Sequence, residues 1–217
     1  MCTFLNSNFF QTIVLIVTAV ITVWIFFYRK HKERCNAVTI LMLQIKEIEH
    51  NIEYLLSEWG TNTTINESNM HYSTIVYEEN QWTKYSHLIV GDVSQLAFEQ
   101  IDNFFKVACR VREQQIFIKQ KIHQAIDFKA MHYYNANYSK LNECQTIEDN
   151  QNKVQQVQQL YGNIKVLPYI QVELALGLEK TLKQYHKLTD GMAYAELQKI
   201  KRPFICSLLK SNMRRFY

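Results

Sequence analysis

Residues 9–28 constrain this chain more than any other stretch. They are uncharged and mostly apolar, and the run ends abruptly at Arg29, Lys30, His31, Lys32, Glu33 and Arg34. A helix rising about 1.5 Å per residue turns such a run into about 30 Å, the thickness of a bilayer hydrocarbon core. No charged side chain precedes Arg29. A secretory signal peptide has a positive leading region, a shorter apolar run and a small-residue cleavage site. Here the leading region is neutral, and bulky Trp24, Ile25, Phe26, Phe27 and Tyr28 occupy the place of cleavage. The run reads as an uncleaved, single-pass membrane anchor. Because positive flanks stay cytoplasmic, the short N-terminus is expected outside and residues 29–217 in the cytoplasm.

All 24 Lys+Arg and all 20 Asp+Glu follow Tyr28, so the net charge of +4 belongs to the cytoplasmic part. It is uneven. Residues 180–217 carry nine basic and two acidic side chains, whereas residues 29–179 carry fifteen and eighteen. Only five Gly and two Pro occur, little punctuation for a many-stranded sheet. The expected fold class is therefore all-α, a single N-terminal transmembrane helix followed by a cytosolic helical bundle with long helices. Cys2, Cys35, Cys109, Cys144 and Cys206 are odd in number and widely spaced, which excludes a zinc knuckle and argues against a disulfide framework. Asn62, Asn66 and Asn137 match the glycosylation pattern, by chance if the domain is cytosolic.

Beyond the basic collar, Val38, Leu41, Ile45, Ile48, Ile52, Leu55 and Trp59 recur at intervals of three and four, a helical stripe ending before Gly60. The alternation suits either a parallel coiled-coil dimer or, since Met42 and Leu56 widen the stripe, a helix packed into its own globular body. Residues 61–73 read as a polar loop, and residues 77–90 as a helix carrying Trp82, Tyr85, Leu88 and Ile89. Asp92 and Gln95 have the spacing of an N-cap with its reciprocal amide. From residue 92 to residue 161 there is no Gly or Pro, so this block is one very long helix or two. Pro168 fits the first turn of another helix, bearing Ile170, Leu174, Leu178, Leu182, Tyr185 and Leu188. A short helix over 192–201 and a basic amphipathic segment after Pro203 complete the chain. Three regions follow: 1–28, the N-terminus and membrane helix; 29–167, a long-helix cytosolic region; and 168–217, a basic C-terminal helical region.

Enzyme signatures are lacking: there is no phosphate loop, nucleophile elbow, or paired Cys or His at metal spacing. Glu47 and His50 form the Glu-x-x-His element of dimetal bundles, but only once and off the buried stripe, so a solvated helix face is the better reading. No catalytic residue, metal or cofactor is expected. The membrane helix carries more signal. Asn8, Gln11, Thr18, Thr22 and Arg29 fall within about 80° of one another at 100° per residue. A polar stripe in hydrocarbon faces protein or water, and with one span per chain that protein is another copy. Gln11, Thr18, Thr22 and Arg29 are thus candidate pore-lining residues. Thr18 and Thr22 also suit dry packing of two helices, or bonding to their own backbone; both readings stay open.

The collar sets topology and meets anionic headgroups. At the other end Lys199, Lys201, Arg202, Lys210, Arg214 and Arg215 overlie an apolar face of Phe204, Ile205, Leu208, Leu209, Met213 and Phe216. Such a segment docks into the bundle, lies on a membrane, or presents cations to the phosphates of a nucleotide or nucleic acid. Tyr133, Tyr134 and Tyr138, near Lys129, His132 and Lys140, have the chemistry to stack bases, and equally that of ordinary helix-surface aromatics.

The layout of neutral N-terminus, one span, basic collar and long Gly-poor helices resembles the membrane effectors of the Hailong type, which accompany nucleotidyltransferases in bacterial antiviral defence. Trp82, the run Ile101, Asp102, Asn103, Phe104 and Phe105, and residues 193–200 look like segments common in proteins of this layout. The resemblance carries over no functional residue. It implies a homo-oligomeric ion channel in the cell membrane, opened or held shut by an oligonucleotide signal bound to the cytosolic body, with a nucleotidyltransferase or nuclease as functional partner. A membrane-anchored helical adaptor or scaffold without a pore is the alternative expectation.

Overall fold

The computed structural model describes residues 8–59, 66–142, 147–162 and 171–201. Among them the secondary structure is entirely helical: α1 (Asn8–Trp59), α2 (Glu67–Tyr72), α3 (Gln81–Ile89), α4 (Gln95–Asn142), α5 (Ile147–Gly162), α6 (Gln171–Leu182) and α7 (Met192–Ile200). The apolar run and the stripe beyond it form one continuous helix of 52 residues. The collar does not interrupt α1, because Lys, Arg and Glu are good helix formers. α1 is the one helix among the described residues long and apolar enough to cross a membrane, and its apolar window is 0% buried inside the molecule.

Of the one helix or two that the block 92–161 admits, the structure has two, α4 and α5. In several other places sequence and structure part. Residues 67–72, read as loop, form α2, whose N-cap Asn66 accepts a hydrogen bond from the Asn69 amide at 3.1 Å. The cap of α4 is Ser94, whose Oγ accepts from the Ala97 amide at 3.3 Å. Asp92 points elsewhere, its carboxylate taken by Arg34. α6 ends at Leu182, so Tyr185 and Leu188 lie beyond it. Pro168, Ile170 and everything after Lys201 fall outside the described residues.

The chain divides into two compact units, each assembled from separated stretches. The first takes Met1–Lys46, Asn80–Asp102 and Lys187–Tyr217. Its core combines Val38, Leu41 and Ile45 of α1, Ile89 of α3, Ile101 of α4, and Ala193 and Leu197 of α7, all fully buried. The second takes Glu47–Glu79 and Asn103–His186. There Ile48, Ile52, Leu55 and Trp59 of α1, Met70 of α2, Phe105, Val111 and Ile118 of α4, and Leu178 and Leu182 of α6 are buried. The stripe of α1 is consumed inside the chain that bears it. It presents no seam for a parallel coiled-coil dimer, since every member is at most 2% exposed.

In the second unit, three side chains on α4 hold the irregular segment after α2 by its backbone. Arg112 donates from Nε to the Tyr77 carbonyl at 2.8 Å and lies over the Tyr77 ring at 5.4 Å. Buried Gln115 accepts from the Val76 amide at 3.0 Å and donates to the Thr74 carbonyl at 2.7 Å and to Ser73 Oγ at 3.0 Å. Lys119 donates to the carbonyls of His71 and Ser73. A segment without secondary structure cannot pair its own amides, so side chains from a rigid helix satisfy them. Burial lowers the Lys119 pKa from its ordinary value.

Candidate functional site

Continuity of α1 makes the geometry of its polar line direct. Gln11, Thr18, Thr22 and Arg29 lie within about 40° of one another over about 27 Å of helix. All four are exposed. Leu15, Ile25 and Phe26 lie close to the same line, so it is interleaved with apolar side chains. Thr18 Oγ1 donates to the Val14 carbonyl and Thr22 Oγ1 to the Thr18 carbonyl, each at 2.8 Å. These bonds supply each hydroxyl with an acceptor and leave its lone pairs outward. Trp24 and Tyr28 stack one turn apart, with ring centroids at 5.9 Å, at the end of the run where interfacial aromatics are favoured.

Just past the collar, the first unit grips α1 on two sides. Arg34 Nη1 pairs with Asp92 Oδ2 at 3.1 Å. Cys35 Sγ lies 3.4 Å from the Ile200 carbonyl and 3.4 Å from His31 Nε2. Burial pushes the Cys35 thiol up, against the lowering effect of the Lys201 charge. The strap before α4 is in turn fastened to α7: Ser94 donates its amide to Glu196 Oε2 at 2.7 Å and its hydroxyl to Oε1 at 3.0 Å. Buried Gln44 accepts from the Gln81 amide at 3.0 Å, and Trp82 Nε1 donates to Asp102 Oδ1 at 2.9 Å. The contact of Cys35 with Ile200 brings the C-terminal end of α7 to α1, six residues beyond Arg29. Lys201, at the end of α7, is close enough for its charge to act on the Cys35 thiol, and both it and Lys199 are exposed. Cations so placed attract phosphates, whether of a headgroup or of a soluble anion.

Of the candidate ligand residues, only Lys199 and Lys201 are described; Arg202, Lys210, Arg214 and Arg215 lie outside the described residues. Arg34 is not a free cation of the collar. Glu47 and His50 are exposed, while Glu49 between them is buried. Among the described residues no group of three His, Cys, Asp or Glu could hold a metal ion. Cys35 and Cys109 are free thiols. Sequence reasoning gave Asp92 a capping role and missed Gln44 and Glu196; the partners of these three lie 58, 37 and 102 residues away.

Comparison with protein-family models, with curated proteins and with solved structures finds no match to this chain.

Proposed function

We propose that the chain is a single-pass, homo-oligomeric membrane effector of antiviral defence. In this reading Gln11, Thr18, Thr22 and Arg29 line a gated pore, and a nucleotide or nucleic-acid ligand bound to the cytosolic domain controls it. The observation that carries the reading is the junction. The helix bearing the polar line runs unbroken into the first unit, where Cys35 meets Ile200 at 3.4 Å beside Lys199 and Lys201. An anion drawing on those lysines acts on the foot of the pore helix without an intervening hinge. The N-terminus lies outside and the domain in the cytoplasm, where a nucleotidyltransferase or nuclease supplies or removes the ligand. No residue is assigned a catalytic role, and no cofactor.

The test is ion flux from vesicles reconstituted with the purified chain. Gln11→Leu or Thr18→Leu reduces flux several-fold at equal protein content, whereas Val17→Ala and Val20→Ala on the opposite face do not. Short single-stranded oligonucleotides change the flux, their affinity falls steeply with salt, and Lys199→Ala with Lys201→Ala weakens them. Equal effects from both faces, or indifference to oligonucleotide, refutes the proposal. One observation favours a second reading, a membrane-anchored adaptor without a pore. The hydroxyls of Thr18 and Thr22 bond to their own helix at 2.8 Å, which lets them sit against lipid or a packed helix without water.

A further inference from the structure

Beyond Ile122, α4 has no buried side chain among residues 123–139. One face of this part is half-buried, through Ala125, Lys129, Tyr133 and Ala136. On another face Phe128 is 61% exposed, Met131 56%, Tyr134 67% and Tyr138 59%, and Phe117 one helical stretch earlier is 46% exposed. Large apolar side chains so open to water along one helix need a cover.

The pattern of this face says what the cover is. Gln124, Phe128, Met131, Asn135 and Tyr138 follow one another at intervals of four and three, the repeat of a coiled-coil seam. Phe128 and Asn135 fall at one seam position, Gln124, Met131 and Tyr138 at the other. Lys121 closes the seam at its near end, its ammonium 5.5 Å from the Phe117 ring centroid. Amides inside the seam are wrong for lipid, which wants an unbroken apolar face. They suit an identical seam, because an amide both donates and accepts and so complements its own copy, and a lone seam Asn fixes parallel register. The flanks agree. Asp127 precedes the Phe128 seam position and His132 follows Met131, and these are the two flanks that meet across a parallel pair. Both are exposed. Phe128, Met131 and Tyr138 in the seam and Tyr134 on its flank leave about 100 Å² each to cover, hence about 800 Å² for a pair, just short of a specific interface by itself. Two copies held in one membrane gain the rest from effective concentration.

We propose that the outer part of α4 is a self-association surface, pairing in parallel with the same segment of a second copy and placing Asp127 of one copy against His132 of the other. This rests on the homo-oligomeric reading and adds the cytosolic surface through which it forms. The test is the mass of the intact chain in mild detergent, by mass photometry or native mass spectrometry. The parent gives a discrete multiple of the 25.8 kDa chain. Phe128→Glu with Met131→Glu at least halves that mass while helical content is kept, and Met192→Glu, at an equally open position of the first unit, does not change it. Asp127→Lys lowers the mass, and adding His132→Glu restores it, a rescue that a purely structural role would not give. A parent that runs as a monomer refutes the homo-oligomer and the seam together. A parent oligomer unchanged by the seam substitutions refutes the seam alone. So does an unchanged mass with lost binding to anionic vesicles or to oligonucleotide, which assigns the face to that partner.

Discussion

Within α1, residues 11–30 are exposed on every side, whereas from residue 37 onward exposure follows the helical period and Val38, Leu41, Ile45, Ile48 and Ile52 are at 0%. The two halves share a helix and a high content of Ile, Leu and Val, yet they solve different problems. The first half is apolar all round but for the line of Gln11, Thr18 and Thr22, and none of the described residues covers it. The second is apolar on one face, and the chain covers that face completely. A uniformly apolar helix requires an apolar medium, and a striped one requires a neighbour. α4 repeats the lesson with a different ending: its first part is buried on a stripe, and its outer part keeps a stripe that the described residues leave open.

Ile45 separates the two halves most sharply. Ile45→Ala leaves a cavity in a covered stripe and costs about 2–5 kcal/mol, read as a fall in the unfolding midpoint of the helical body. Leu15→Ala, at a position 70% exposed, leaves that midpoint where it was. Equal losses would mean that both halves pack against protein. Next comes Gln115→Leu, which strands the buried Val76 amide, while the Ser73 hydroxyl keeps its bond to the Met70 carbonyl. Each interior group left unpaired costs about 1–3 kcal/mol, and hydrogen exchange of the Val76 amide should rise in step.

A smaller effect appears at alkaline pH. Burial, with Cys109 at its side, raises the Tyr77 phenol above its ordinary value of 10.0. A raised folded pKa contributes stability that is complete below pH 10 and lost as pH climbs through the folded value. Tyr77→Phe should flatten that alkaline limb in a denaturation series and leave neutral pH nearly unchanged. The smallest change is Arg34→Ala. The Arg34–Asp92 pair is about one-third exposed on each side, so its removal costs under about 1 kcal/mol. Flux in vesicles should respond more than stability does, because the pair ties the strap before α4 to the foot of α1.

What was legible in the sequence was whatever repeats. The stripe of α1 and the first part of α4 announced themselves by period, and the apolar run by length and abrupt charge. α2 was not legible, because six residues with only Met70 buried carry no period. Asp92 was misread because a carboxylate before a helix looks like a cap whether or not a distant arginine takes it. Half of the junction was legible as charge, in Lys199 and Lys201. Its geometry was not, since Cys35 and the Ile200 carbonyl are 165 residues apart and a backbone acceptor leaves no mark on sequence. The outer seam of α4 escaped notice because amides at Gln124 and Asn135 interrupt its apolar spacing.

The first half of α1 is a candidate membrane span and bears Trp24, whereas Trp59 lies in the covered half. Trp24 is 57% exposed and Trp59 2%. With the chain reconstituted in bilayers whose acyl chains carry bromine, the decisive measurement is tryptophan quenching in the parent against Trp24→Phe. A first half that lies in the bilayer gives strong quenching in the parent that is almost abolished by Trp24→Phe, with the remaining emission of Trp59 and Trp82 insensitive to the brominated lipid. Quenching that survives Trp24→Phe undiminished, or a parent that is not quenched at all, would contradict that placement.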